Sequence, residues 1–85
     1  MDLKESVSRA LIETIMFLEF SDEKSIHPDV SVSQIEQIAA TLQEMDDNGI
    51  KEFLKICSTM ARDYENEVDK SKFLSSIGEN LGLKG

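Results

Sequence analysis

The stretch "FSDEKSIHPDVS", Phe20 to Ser31, separates two strongly apolar segments and holds the only proline, the only histidine and four charged residues of the corner it makes. Proline has no amide hydrogen, and its ring disfavours helical geometry at the residue before it, so a helix arriving from the N-terminal side must stop at or before His27. The stretch is a corner, and the fold follows from what lies on either side. On the N-terminal side Leu3, Val7, Ala10, Leu11, Ile15 and Leu18 recur at intervals of three and four. That spacing predicts a helix over 3–20 with these residues turned inward. A second row, Ile12, Met16 and Phe20, lies on a neighbouring face and reads either as more core or as an exposed apolar anchor. A helix that is apolar around most of its circumference is expected to have several neighbours.

On the C-terminal side "SQIE" at Ser33 to Glu36 has the letters of a capping box, and Asp29 or Ser31 are alternative caps. A second helix is expected over 31–45, with Val32, Ile35, Ile38, Ala39, Leu42 and Met45 inward and Glu36, Gln37, Ala40, Gln43 and Glu44 outward. "MDDNGI" is a short break in which Asp46 or Asp47 caps a third helix over 47–64, and so short a break predicts an antiparallel hairpin of helices two and three. Ile50, Phe53, Leu54, Cys57, Met60, Ala61 and Tyr64 form the inward stripe of that helix. After the polar corner "DYENEVDKS", Phe73, Leu74, Ile77 and Leu81 predict a fourth helix over 69–81, with Gly82 suited to a left-handed cap. Nothing alternates with period two for long. The fold class is all-α, a four-helix domain spanning residues 1–85 as one unit.

Composition narrows the function classes. Forty per cent of the 85 residues are hydrophobic, and the net charge is −8, a globular balance that disfavours phosphate backbones and anionic lipid surfaces as partners. Residues 1–69 hold sixteen acids against six bases, net −10, while residues 70–85 hold one acid against three bases, net +2. An acidic recognition face is therefore expected from the first three quarters of the chain. No apolar run approaches the roughly 20 residues that span a bilayer, and the mixed-charge start "MDLKESVSRAL" is unlike a cleavable signal. With one cysteine and no metal-ligand spacing, a cytoplasmic protein is expected.

Catalytic and metal readings find little support. Asp22, Glu23, His27 and Asp29 are possible ligands, but Lys24 and Ile26 stand where a calcium loop needs acceptors, and Lys51 stands where "DDNG" would need the loop glycine. Ser21 to Lys24 matches the letters SxxK without room for the buried site that motif requires. Cys57 falls on the inward stripe of helix three, where it reads as a small core residue with an ordinary thiol. An acyl carrier reading would need an Asp-Ser pair at the start of helix two, where Asp29-Val30-Ser31-Val32 stands instead. Neither a catalytic residue, a metal nor a cofactor is expected.

What remains is a protein-binding surface. Glu19, Asp22, Glu23 and Asp29 surround the first corner, and Asp46, Asp47, Asp63, Glu65 and Glu67 surround the other two. These are the candidate partner-binding residues, since clustered charge steers association with a cationic partner.

The segments "ALIETIMFLEFSDEKSIHPDVSVSQIEQIAATLQEM" and "DDNGIKEFLKICSTMA" resemble small acidic all-helical bacterial immunity proteins found beside contact-dependent inhibition and polymorphic toxins. The resemblance rests on a "FLE" helix end, an acidic corner with "HPD", and an "IEQIAATLQ" helix leading to an aspartate-capped third helix. It covers more than half the chain, and Gly49 departs from it where a stronger helix former is expected. It implies binding without chemistry: the protein covers a toxin domain, often a basic nuclease, and neutralises it. The alternative is a small acidic carrier or adaptor domain.

Overall fold

The computed structural model describes residues 1–22, 24 and 26–83. It contains α1 (Leu3–Phe20), α2 (Pro28–Leu42), α3 (Asp47–Asp63), α4 (Val68–Ser75) and α5 (Ile77–Asn80), with no strand among the described residues. The all-α expectation holds, and α1 has the expected boundaries.

Both ends of α2 and the course of the last helix differ by more than one residue from the expected spans. Helix α2 begins at Pro28 rather than at residue 31. Proline is well placed in the first turn, because its missing N–H would have had no helical partner and its φ is already helical. His27 is the cap, its Nδ1 accepting the Asp29 N–H at 3.2 Å, so the Ser33 capping box is not used. The same helix ends at Leu42, not 45, and the Gln43 side chain reaches away to donate to the Leu81 carbonyl at 2.8 Å. The expected fourth helix is two short ones that change direction at Ser76. Gly78, in the second of them, lies close to α3, where a Cβ would stand 3.2 Å from Leu54 Cδ2.

The remaining termini are closed by side chains and glycine. Asp2 caps α1 and Asp46 caps α3, each accepting a backbone N–H at 2.8 Å, from Glu5 and Gly49 respectively. Gly49 itself is explained by this cap: a Cβ there would lie 3.2 Å from both Asp46 Oδ1 and Met45 Cβ. After α5 the Leu83 N–H donates to the Gly78 carbonyl at 2.7 Å and the Gly82 N–H to the Glu79 carbonyl at 3.2 Å, with Gly82 at φ +69°. These two bonds and the left-handed residue make a Schellman cap, as the position of Gly82 suggested.

One apolar core unites the elements. It holds Ile12, Ile15 and Met16 of α1, Ala39 and Leu42 of α2, and Ile50, Phe53, Cys57, Met60 and Ala61 of α3, with Leu74, Ile77, Leu81 and Leu83 from the C-terminal quarter. The second row of α1 is thus mostly core, although Phe20 stays 40 % exposed. The first row corrects the sequence reading. Leu3 is 79 % and Val7 57 % exposed, and Ala10 is exposed too. Successive residues turn by 100°, so a core centred on Ile12 and Ile15 leaves Leu3, Val7 and Ala10 on the far side. Val32 likewise faces outward, while Leu42 lies in the core and Ile35 and Ile38 pack against it. Helix α2 packs along α1 rather than on α3, and α3 packs on α1 and most extensively on α4, so the expected hairpin of helices two and three is not formed.

Candidate protein-binding surface

Helices α1 and α3 run in the same sense. Lys4 Nζ lies 3.6 Å from Glu52 near their starts, and Arg9 pairs with Asp63 at 3.5 Å farther along. Beyond that, Phe20 meets Phe73 of α4 edge-on, with ring centroids 5.7 Å apart. The first corner and the α3–α4 corner therefore share one end of the molecule. The α2–α3 corner lies at the other.

This arrangement divides the nine candidate acids. At the shared end are Glu19, Asp22, Asp29, Asp63, Glu65 and Glu67; Glu23 belongs to the same corner by sequence and lies outside the described residues. Glu19, Asp22, Asp29 and Glu65 are exposed. Asp22 accepts the Lys24 N–H at 3.1 Å, which folds the corner back on itself. The Asp29 carboxylate sits 3.9 Å from His27 Nδ1. Asp63 is drawn to Arg9, which also pairs with Glu5 at 3.1 Å. Glu67 pairs with Lys70 at 3.0 Å. Asp46 and Asp47 are at the opposite end, in the cap and first turn of α3, where acids suit the positive end of the helix dipole.

Between the acids of the shared end lies an open hollow of about 280 Å³ lined by Phe17, Phe20, Tyr64 and Lys70, with Glu13 on its rim. Phe17 is 60 % exposed, and Lys70 Nζ stands 5.9 Å from the Tyr64 ring centroid, within cation–π range. Sequence reasoning had no place for Phe17 and put Tyr64 on the inward stripe of α3, where it proves only half-buried. Phe17 could have been noticed, since it falls on the side of α1 away from Ile12. Its exposure could not.

The other chemistry-bearing groups are placed as follows. Cys57 is fully buried, and desolvation pushes its thiol up from 9.0 to about 12. The thiol is therefore not ordinary, as the sequence suggested, but strongly held in the protonated form. The Ser21 hydroxyl donates back to the Phe17 carbonyl in the last turn of α1, not toward Lys24. Among the described residues no three His, Cys, Asp or Glu side chains are grouped closely enough to hold a metal, and no helix is long and apolar enough to cross a membrane.

No family model matches the chain, and neither a curated protein nor a solved structure is similar to it.

Proposed function

We propose that this protein is a non-enzymatic binding module, an immunity protein that covers and neutralises a basic, nuclease-type toxin domain in the cytoplasm. The observation that carries the reading is the convergence of two acidic corners around exposed aromatic rings at one end of the molecule. Aromatic side chains at the centre of a patch supply most of the affinity in protein interfaces, while a charged rim sets encounter rate and partner choice. Phe17, Phe20 and Tyr64 take the first part. Glu19, Asp22, Asp29 and Glu65 take the second, their carboxylates standing where the phosphates of a nuclease substrate would lie. Inhibition on these terms is steric and electrostatic and needs no catalytic group.

The test is association with a purified basic nuclease-type toxin domain encoded beside the protein. Neutralising Glu19, Asp22 and Glu65 together should slow association at least about tenfold at low salt and flatten its salt dependence, with the melting temperature unchanged. Neutralising Lys70 and Lys72 instead should leave association as fast or faster. If the lysine changes abolish binding and the acidic changes do nothing, the partner is anionic and the reading is wrong.

A further inference from the structure

We infer that the hollow between α1 and the α3–α4 corner is a seat for one arginine side chain of the basic partner, and that Lys70 holds the seat until the partner displaces it. The seat lies within the end already read as the partner-binding surface, and its occupant rests on that reading.

A cation is there in the free protein. Lys70 Nζ stands 5.9 Å from the Tyr64 ring centroid, and among the described residues Lys70 is the one lysine that is not exposed. A surface lysine ordinarily keeps its ammonium in water and lays only its stem on the protein. Here the negative face of a ring and the Glu67 carboxylate at 3.0 Å hold it back. The chain's own side chain therefore shows that the hollow favours positive charge.

The resident cation leaves part of the hollow unused. Glu13 also lines it, is exposed, and pairs with no cation among the described residues. Phe17 follows Glu13 by one helical turn, so its exposed ring and that carboxylate share a face of α1. The hollow, about 280 Å³, is at the lower limit of pockets that hold small molecules, about 300 Å³. It has room for one long side chain and not for a helix. Rings beside an unpaired carboxylate suit arginine better than lysine. A guanidinium is planar and weakly hydrated, so it stacks on a ring while its edge N–H groups donate to a carboxylate. An ammonium is compact and more strongly hydrated.

Displacement gives up little. Glu67 and Lys70 are three residues apart, so the ammonium can swing into water with its ion pair kept and lose only the contact with Tyr64. That contact still raises the threshold for weaker cations, which makes Lys70 a specificity residue for the partner.

The test needs no partner. N-acetyl-arginine methylamide, with the lysine analogue as control, is titrated into isotope-labelled protein to about 100 mM and followed by NMR. The Lys70 ε-methylene signals, shifted by the Tyr64 ring in the free protein, should move to the positions of an exposed lysine. Amide shifts should gather at Glu13, Phe17 and Tyr64 rather than at Asp46 and Asp47. Lys70→Ala should tighten the arginine probe about threefold or more, the scale of one exposed cation–π contact, whereas Lys72→Ala should not. Glu13→Gln should weaken it, and the lysine probe should bind less tightly throughout. Lys70 signals that stay put, or a Lys70→Ala variant no tighter than Lys72→Ala, overturn the inference. Such a failure beside a toxin association still slowed by the acidic triple change leaves the binding surface standing. A seated probe beside a toxin domain indifferent to the acids keeps the seat and overturns the immunity reading.

Discussion

Helices α1 and α3 are of nearly equal length and share the core, yet only one of them can be oriented from its own residues. In α3 the stripe Ile50, Phe53, Cys57, Met60 and Ala61 is buried as the spacing predicts, with Leu54 and Tyr64 half-buried at its margins. Its opposite face carries Lys51, Glu52, Lys55, Thr59 and Arg62, all exposed. Burying that face would strip several charges of water without partners, so a single orientation is affordable in free energy. In α1 both candidate stripes are apolar. Ile12, Ile15 and Met16 are buried, whereas Leu3, Val7 and Ala10, equally regular in spacing, face outward. Periodicity identifies a helix, and contrast between its faces identifies which way the helix turns.

The most direct way to break this comparison is truncation of matched positions. Phe53→Ala in α3 should cost about 3–5 kcal/mol and Ile15→Ala in α1 about 2–5 kcal/mol, since both leave cavities in a packed core. Val7→Ala should stay within about 0.5 kcal/mol. Urea titrations of the three variants would settle the orientation of α1. A Val7→Ala loss as large as that of Ile15→Ala would mean that α1 presents its other stripe to the core.

A smaller effect is expected at Cys57, the most deeply buried polarisable group of α3. Cys57→Ala should cost about 1 kcal/mol, the scale of a small core truncation, and thiol reagents should label the folded protein only through unfolding. The pH response has a definite sign. The folded thiol is raised to about 12 from 9.0, so the unfolded chain loses this proton first, and stability should decline as pH rises through the window between those values. Below 9.0 the contribution is fully present. In melting curves the gap between wild type and Cys57→Ala should therefore close within about one pH unit above 9.0 and then reverse, and a constant gap between them would contradict the buried placement.

The smallest effect concerns one of the two ion pairs that the described residues make between α1 and α3. Arg9 reaches Asp63 at 3.5 Å with the carboxylate side chain 60 % exposed, and exposed pairs of this kind contribute little. A double-mutant cycle with Arg9→Met and Asp63→Asn should give a coupling of about 0.2–1 kcal/mol that falls with added salt. A coupling several times larger would show that charge, rather than the apolar stripes, sets the alignment of α1 on α3.

Much of the candidate surface was legible as residue types and little of it as a place. Glu19, Asp22, Asp29, Asp63, Glu65 and Glu67 could be singled out as corner acids from the chain alone. That six of them gather at one end while Asp46 and Asp47 cap α3 at the other follows from α1 and α3 running in the same sense, which depends on how three helices pack. The exposed ring of Phe17 was invisible, and that of Phe20 was open between core and exposed anchor, for a related reason: an aromatic residue on an apolar helix looks the same whether it faces the core or water.

By itself the sequence determined the helical class, the full extent of α1, the burial of most of the α3 stripe and the left-handed residue at Gly82. These depend on interactions within a few residues: hydrogen-bonded turns, a proline without an amide hydrogen, a glycine free of Cβ strain. Tertiary structure alone decided which stripe of α1 is buried, that α2 lies along α1, and that the last helix breaks at Ser76 to bring Ile77, Leu81 and Leu83 into the core. Those choices compare the packing of whole faces against one another, and residues far apart in the chain enter the comparison together.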